Sequence, residues 1–237
     1  MRILINHLTR MRAGKICIAG VDVETRRHVR PVLGYEGLTA KLLARYGGPF
    51  DMARIVELGN PRPKPNRPHT EDHEFAPSRV RFRRNASAAE FWEMLRELGQ
   101  SSLQEIFGGL LRDIGQSRWA ADVGQGAASL GVLRPHGPPQ LYLRTDRDRK
   151  PQIRIKLGDG RLEADAGVTD LRLYGPDHAT PDADMVRAAA RWIANSEGVL
   201  LGVGLTRKFR PSDGSGYLHY LQVNNVHLEE DPAWRLG

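Results

Sequence analysis

Residues 199–228 read VLLGVGLTRKFRPSDGSGYLHYLQVNNVHL. The run from Val199 through Leu205 is apolar and too short for a buried helix, so it reads as a buried strand that ends at Thr206. KFRPSDGSG, residues 208–216, collects the Gly, Pro, Ser and Asp of a loop. From Tyr217 an apolar alternation resumes and reads as the last strand. Its parity changes midway: Leu221 and Val223 share one face, Val226 and Leu228 the other. One extra residue at Asn224-Asn225, a β-bulge, reconciles the two halves.

Working outward, the same tripeptide recurs near the start. Residues 5–12 read INHLTRMR, and 202–210 read GVGLTRKFR. Each carries an apolar strand into Leu-Thr-Arg and then into further basic residues. At a strand end, Leu faces the core while a Thr hydroxyl and an Arg guanidinium reach the rim. Arg meets a phosphate bidentately and Thr adds a hydrogen bond. Two candidate anion sites follow: Thr9, Arg10, Arg12 and Lys15, and Thr206, Arg207, Lys208 and Arg210. The competing reading is structural, with Thr and Arg stitching each strand end to its own unit through carboxylates. Arg30, in the strand HVRPVL, joins the basic set. QIRIKL (152–157) alternates so that Arg154 and Lys156 share one face, a possible track for a nucleic-acid backbone or simply a solvated strand face. Tyr142, Phe209, Tyr217 and Tyr220 are available rings for stacking on bases, and Gln222 lies beside Tyr220 on the last strand.

The remaining pattern is also strand-rich. RILINHL, KICIAGVDV, HVRPVL and ARIVELG are strand candidates, with VETRR as a turn. GLTAKLLARYGG reads as a short helix stopped by Gly47 and Gly48. The proline-rich stretch 59–77 reads as an extended connector, and RVRFRR as an edge strand. Residues 87–107 turn helical, with Ser87 and Glu90 as a capping box and Phe91, Met94, Leu95 and Leu98 as the apolar face. A second short helix follows through SLQEIFGG. AASLGVLRP, QLYLRT, QIRIKL and DLRLYG are strands, with GDGR (158–161) as a hairpin turn. A late helix opens at Thr180-Pro181 and buries Met185, Ala189, Trp192 and Ile193. The pattern fits small barrels or a sandwich. The chain divides into residues 1–84, a helical insert over 85–126 expected to stand outside the strand-rich units, and 127–237, whose last strand pair packs back on the first unit.

Of 237 residues, 35 are Lys or Arg and 28 Asp or Glu, a net charge of +7 that points to an acidic partner, nucleic acid or nucleotide before membrane. Cys17 is the single cysteine, so no internal disulfide forms, which fits a reducing cytoplasm. The first residues lack the apolar core and cleavage site of a signal peptide, and the longest apolar runs are too short to span a bilayer.

The order of these segments, CIAGVDVETRRHVRPV, then SLGVLRP, VTDLRLY, GVGLTRKFR and HYLQVNNVHL, resembles the dual OB-containing domain family of bacteria. The resemblance covers nearly the whole chain. It implies a mainly β fold with α+β character: two OB-like (oligonucleotide-binding) small barrels, a helical insert and a late helix. It also implies nucleic-acid or nucleotide binding, in antiviral defence or nucleic-acid processing, alone or beside protein partners. At Tyr220 the family often carries Trp.

Enzyme signals are sparse. Asp146, Asp148 and Lys150, with Glu163 and Asp165, offer carboxylates for a divalent metal, but the spacing departs from a nuclease strand pair. His69 and His73 in HTEDH have helical spacing in a proline-flanked segment that is not helical. GVGLTRK lacks the spacing of a phosphate loop. The sequence therefore reads as a non-catalytic nucleic-acid-binding protein without cofactor or metal. A nucleotide-sensing or adaptor subunit of a defence complex and a metal-dependent nuclease are the alternatives.

Overall fold

The computed structural model describes residues 1–34, 37–145, 150–210 and 216–234. Its strands form two sheets, the expected mainly β fold. The first holds β1 (Arg2–Arg10), β2 (Lys15–Asp22), β3 (His28–Val32), β4 (Leu38–Thr39), β5 (Arg54–Glu57), β6 (Arg62–Pro63), β7 (Asp72–Glu74) and β8 (Arg81–Asn85). Helix α1 (Ala88–Leu98) follows. The second sheet region holds β9 (Gly99–Gln100), then, after α2 (Leu103–Phe107), β10 (Arg112–Asp113), β11 (Trp119–Asp122), β12 (Leu130–Leu133), β13 (Gln140–Thr145), β14 (Pro151–Gly158) and β15 (Glu163–Val168). Helix α3 (Ala183–Asn195) leads to β16 (Val199–Leu205) and β17 (Leu218–Leu228).

The first sheet runs β6-β7-β3-β2-β1-β5-β8, with β4 on β2. β1 to β3 form an antiparallel meander, β5 returns to β1, and β7 lies parallel to β3. The second runs β13-β14-β15-β17-β16-β12-β9. There β13 to β15 form the meander, α3 crosses over, and β17 lies parallel to β15 and antiparallel to β16. Both follow OB order: three strands in a meander, the fifth parallel to the third, the fourth returning to the first. In the second sheet the fourth strand pairs with β12, which runs through residues 134–139 into β13, so the path ends beside the segment where it began.

The two sheets meet along β1 and β17, and each strand is bulged at the meeting point. β1 skips Asn6 in its register with β2. β17 skips Asn224 in its register with β16, at the position expected from the parity change. Asn225 then presents its carboxamide to the backbone of Leu8: Oδ1 accepts from the Leu8 N–H at 2.9 Å, and Nδ2 donates to the Leu8 carbonyl at 3.2 Å. A side chain thus supplies the partners that a neighbouring strand would give these two backbone groups. Gly202 and Gly204 make room for the contact. A Cβ on Gly202 would lie 2.9 Å from the His7 ring, and one on Gly204 2.6 Å from the Asn224 amide. The glycine pair of GVGLTRK serves strand packing.

A second contact is ionic. Arg30 of β3 is 4% exposed. Its Nε donates to Asp72 Oδ1 at 2.6 Å, and its NH2 to Ser129 Oγ at 3.1 Å. Glu71 accepts from the Ser129 and Leu130 N–H groups and the Ser129 hydroxyl. The other Asp72 oxygen pairs with Arg207 at 2.7 Å. Two arginines and two carboxylates balance in a cluster drawn from both sheets.

The helical segment does not stand clear of the sheets. Ser87 caps α1 by accepting from the Glu90 N–H, as expected. Phe91, Trp92, Met94 and Leu95 then enter the first core together with Val132 and Leu200 of the second sheet, while Leu103 and Phe107 of α2 enter the second core. An apolar face of that size is buried wherever the topology offers a surface.

Other local expectations shift. GLTAKLLARYGG forms β4 and two single 3-10 turns, because buried Leu43 between them is extended (ψ 148°). The connector 59–77 contains β6 and β7. DLRLYG is a 3-10 turn: Asp170 makes a single bridge to Thr9, and its side chain takes the Arg172 N–H and guanidinium and the Val226 N–H. The late helix is capped by Asp182, whose side chain accepts from the Asp184 and Met185 N–H groups. Trp192 is 43% exposed and rests its ring against Trp234.

Two substitutions test the junction. Asn225→Ala leaves the Leu8 amide and carbonyl buried without partners and should cost about 2–4 kcal/mol in denaturant unfolding. Arg30→Met leaves Glu71 and Asp72 facing one arginine and should cost about 3–5 kcal/mol. Unchanged unfolding midpoints would show that the sheets do not depend on these contacts.

Candidate nucleic-acid interface

In an OB unit the loop between strands 1 and 2, the loop between strands 4 and 5, and the outer face of strands 2 and 3 lie on the ligand side. The two Leu-Thr-Arg segments both stand at strand ends on such loops. The first, at the end of β1, enters the strand 1–2 loop of the first unit. The second, at the end of β16, enters the strand 4–5 loop of the second. Their positions in the two units differ, yet the loops touch. The Arg12 guanidinium lies over the Phe209 ring, 4.5 Å from its centroid. Phe209 is 36% exposed and meets Tyr220 at 6.0 Å between ring centroids. Lys208 Nζ lies 5.9 Å from the Tyr217 ring, itself 57% exposed. Arg210 is exposed at the edge of the same loop.

Several expected anion contacts are spent inside the protein. Arg30 is buried in the ionic cluster, so it does not reach a surface ligand. Arg207 is half exposed but paired with Asp72. Thr9 is 5% exposed and donates to the Cys17 carbonyl at 3.4 Å. The Thr206 hydroxyl accepts from the Tyr220 N–H at 2.9 Å, and its carbonyl accepts from His219 Nδ1 at 2.7 Å. These hydroxyls shape their strand ends, the structural side of the alternatives read from sequence. Arg10 is half-buried, donates its backbone N–H to the Thr169 carbonyl at 2.9 Å and lies over Tyr174. Lys15 opens β2 and is half-buried.

On the face of strands 2 and 3 of the second unit, cross-strand partners Tyr142, Arg154, Gly167 and Gln222 fall in one row. Arg154 is held by Asp165 through Nε at 3.0 Å, and Tyr142 donates to the same carboxylate at 2.8 Å. Burial and that bond push the Tyr142 hydroxyl up in pKa. Arg154 is therefore a structural cation. Lys156, two residues along, is exposed and lies 5.9 Å from the Tyr142 ring. Gln222 donates to Asn224 Oδ1 at 2.7 Å.

Asp165 neutralises Arg154, Glu163 begins β15, and Asp146 and Asp148 lie outside the described residues. His73 Nδ1 bonds the Glu71 carbonyl at 2.8 Å. His69 packs edge-on against His219, 5.1 Å between centroids. Burial, with Arg30 and Arg207 facing it, lowers His69 to about 2, so it is neutral. Among the described residues no three His, Cys, Asp or Glu side chains gather as a metal set. The partners that sort the arginines, Glu71, Asp72 and Asp165, carried no sequence signal as such, because each acts across a fold contact.

What remains is a basic, ring-bearing surface: exposed Arg12, Lys208, Phe209, Arg210 and Tyr217 with half-buried Tyr220 at the meeting of the two loops, and exposed Lys156 with half-buried Tyr142 on the neighbouring sheet face. Among the described residues no helix is long and apolar enough to cross a membrane. No curated protein matches the chain. Among solved structures, a murine DNA-binding protein bound to double-stranded DNA aligns over 94% of this chain and 97% of its own, at 10% identity and a TM-score of 0.30, a likeness too remote to place any residue. The family model for the dual OB-containing domain matches residues 1–226, which takes in both sheets and the loops where they meet, and the chain belongs to that family.

Proposed function

We propose that this protein binds nucleic acid, single-stranded or structured, at the meeting of its two basic loops. The observation that carries this reading is Arg12 of one loop stacked on half-exposed Phe209 of the other, with Lys208 and Arg210 beside it. Cations placed around exposed rings meet phosphates and base faces together. The first OB unit, through residue 84, and the second, from 127, each supply one loop, so one ligand spans both. Contacts of this kind follow the backbone and carry little base information. Lys156 and Tyr142 extend the track along the second sheet.

Affinity for oligonucleotides should grow with length and fall steeply with salt. Replacing Arg12, Lys208 and Arg210 together by Ala should reduce the slope of log affinity against log salt by about 2, from about 0.7 per phosphate contact to a single strand. Arg207→Ala should leave that slope unchanged, because its charge is spent on Asp72. An unchanged slope in the triple variant would remove the loops from the binding surface.

Phe209→Ala should cost about 1–3 kcal/mol of binding to single strands with the salt slope intact, as loss of one stacking platform does. Equal loss for Phe209→Leu and Phe209→Ala, with Phe209→Trp retained, identifies the aromatic face as the contact. If Phe209→Leu binds like the parent, the ring serves packing alone.

A further inference from the structure

Seven of the eight histidines are buried or half-buried, and three of them, His7, His28 and His227, gather where β1 meets β17. His7 is 1% exposed. It sits over Gly202 of β16, and its ring centroid lies 5.4 Å from that of His28. Its hydrogen bonding sets its tautomer. Asn224 Oδ1 is occupied by the Gln222 amide at 2.7 Å, which orients the Asn224 carboxamide so that Nδ2 points at His7 Nδ1, 3.3 Å away. With the Asn224 amide turned this way Nδ1 accepts, and the proton of a neutral His7 lies on Nε2, which is buried without a hydrogen-bond partner.

We propose that the relay Gln222–Asn224–His7 is an acid-sensitive clasp between the two OB units. Protonating His7 places an N–H on Nδ1, opposite the Asn224 N–H, and an acceptor meets it only if the Asn224 and Gln222 carboxamides turn together. The titratable and charged groups that face His7 are all basic: His28 and Arg30 from β3 and His227 from β17. β2 and β16 present Ala19 and Gly202. A proton at this point meets repulsion from β3 and β17 and no opposite charge from β2 or β16. The next residue along β1 is Leu8, held by Asn225, and Arg10 and Arg12 follow. Opening the clasp therefore loosens the β1–β17 contact next to the loops, while the Arg30–Asp72–Arg207 cluster and each sheet's own ladder stay in place.

The direction follows from linkage. Burial, followed by neighbouring basic groups, lowers His7 well below its ordinary value, and lowers His28 and His227 to about 4. A depressed histidine stabilises the junction above the unfolded value of about 6.5, and that stability is lost as pH falls below it towards the folded value.

The test needs no nucleic acid, so it stands apart from the binding reading. Amide hydrogen exchange of the full chain is measured from about pH 7.5 to about pH 5 and corrected for intrinsic rates. The Leu8 amide should open progressively below about pH 6.5, by up to about tenfold per pH unit for each proton taken up, while Ile155 in β14 stays protected. His7→Gln keeps an acceptor for Asn224 without a titrating ring and should lower the pH slope of the Leu8 response by about one proton, the shares of His28 and His227 remaining. Asn224→Asp supplies a carboxylate to an imidazolium and should move the onset to lower pH; it also serves if His7→Gln fails to fold. The proposal is overturned if Leu8 and Ile155 lose protection together, if His7→Gln responds as the parent does, or if Asn224→Asp leaves the onset in place.

Discussion

The Asn225 carboxamide that grips both backbone groups of Leu8 is the contact on which the arrangement of the molecule depends. Each sheet can satisfy its own ladder bonds, but β5 covers β1 only at Arg2–Leu4, so the Leu8 N–H and carbonyl on that edge face away from both neighbouring strands. Buried groups of that kind must be met. Bringing β1 and β17 face to face meets them, and Gly202 and Gly204 are the cost of the approach, since any side chain there would collide with His7 or Asn224. The bulges, the glycines and the paired asparagines are parts of one contact between residues more than two hundred positions apart in sequence.

Charge then decides which arginines are left for a ligand. In a low-dielectric junction each cation has to be matched, because an unpaired buried charge costs more than a buried pair returns. Arg30 and Arg207 are matched by Glu71 and Asp72, and Arg154 by Asp165. Among the cations outside these groups, Arg12, Lys208 and Arg210 sit on the loops that the junction brings together. The basic excess of the composition is thus divided between holding the units and facing the solvent, and the same junction performs both divisions.

Much of the architecture was legible from local pattern. The apolar run Val199–Leu205, the alternation of QIRIKL, the Ser87–Glu90 cap and the parity change at Asn224-Asn225 each depend on side chains within a few residues, and such features appear where period and capping place them. DLRLYG failed as a strand because Asp170 found Arg172 and the Val226 amide. The helix expected at GLTAKLLARYGG gave way to burial of Leu43, and Trp192 stayed exposed beside Trp234. In each case a long-range partner outweighed a local preference worth less than a packed contact.

The site divides in the same way. By itself the sequence determined that two strand ends would carry Leu-Thr-Arg into basic loops, because the pattern of apolar and charged residues is local and survives in any fold built from those strands. Only the tertiary structure decided that Arg12 and Phe209 would touch, that Arg30 would be buried, and that Arg207 and Arg154 would be held by Asp72 and Asp165. A guanidinium has the same composition whether it faces a carboxylate or water. Its availability is set by what the fold places within about 3 Å of it, and that distance is fixed by contacts between segments far apart in the chain.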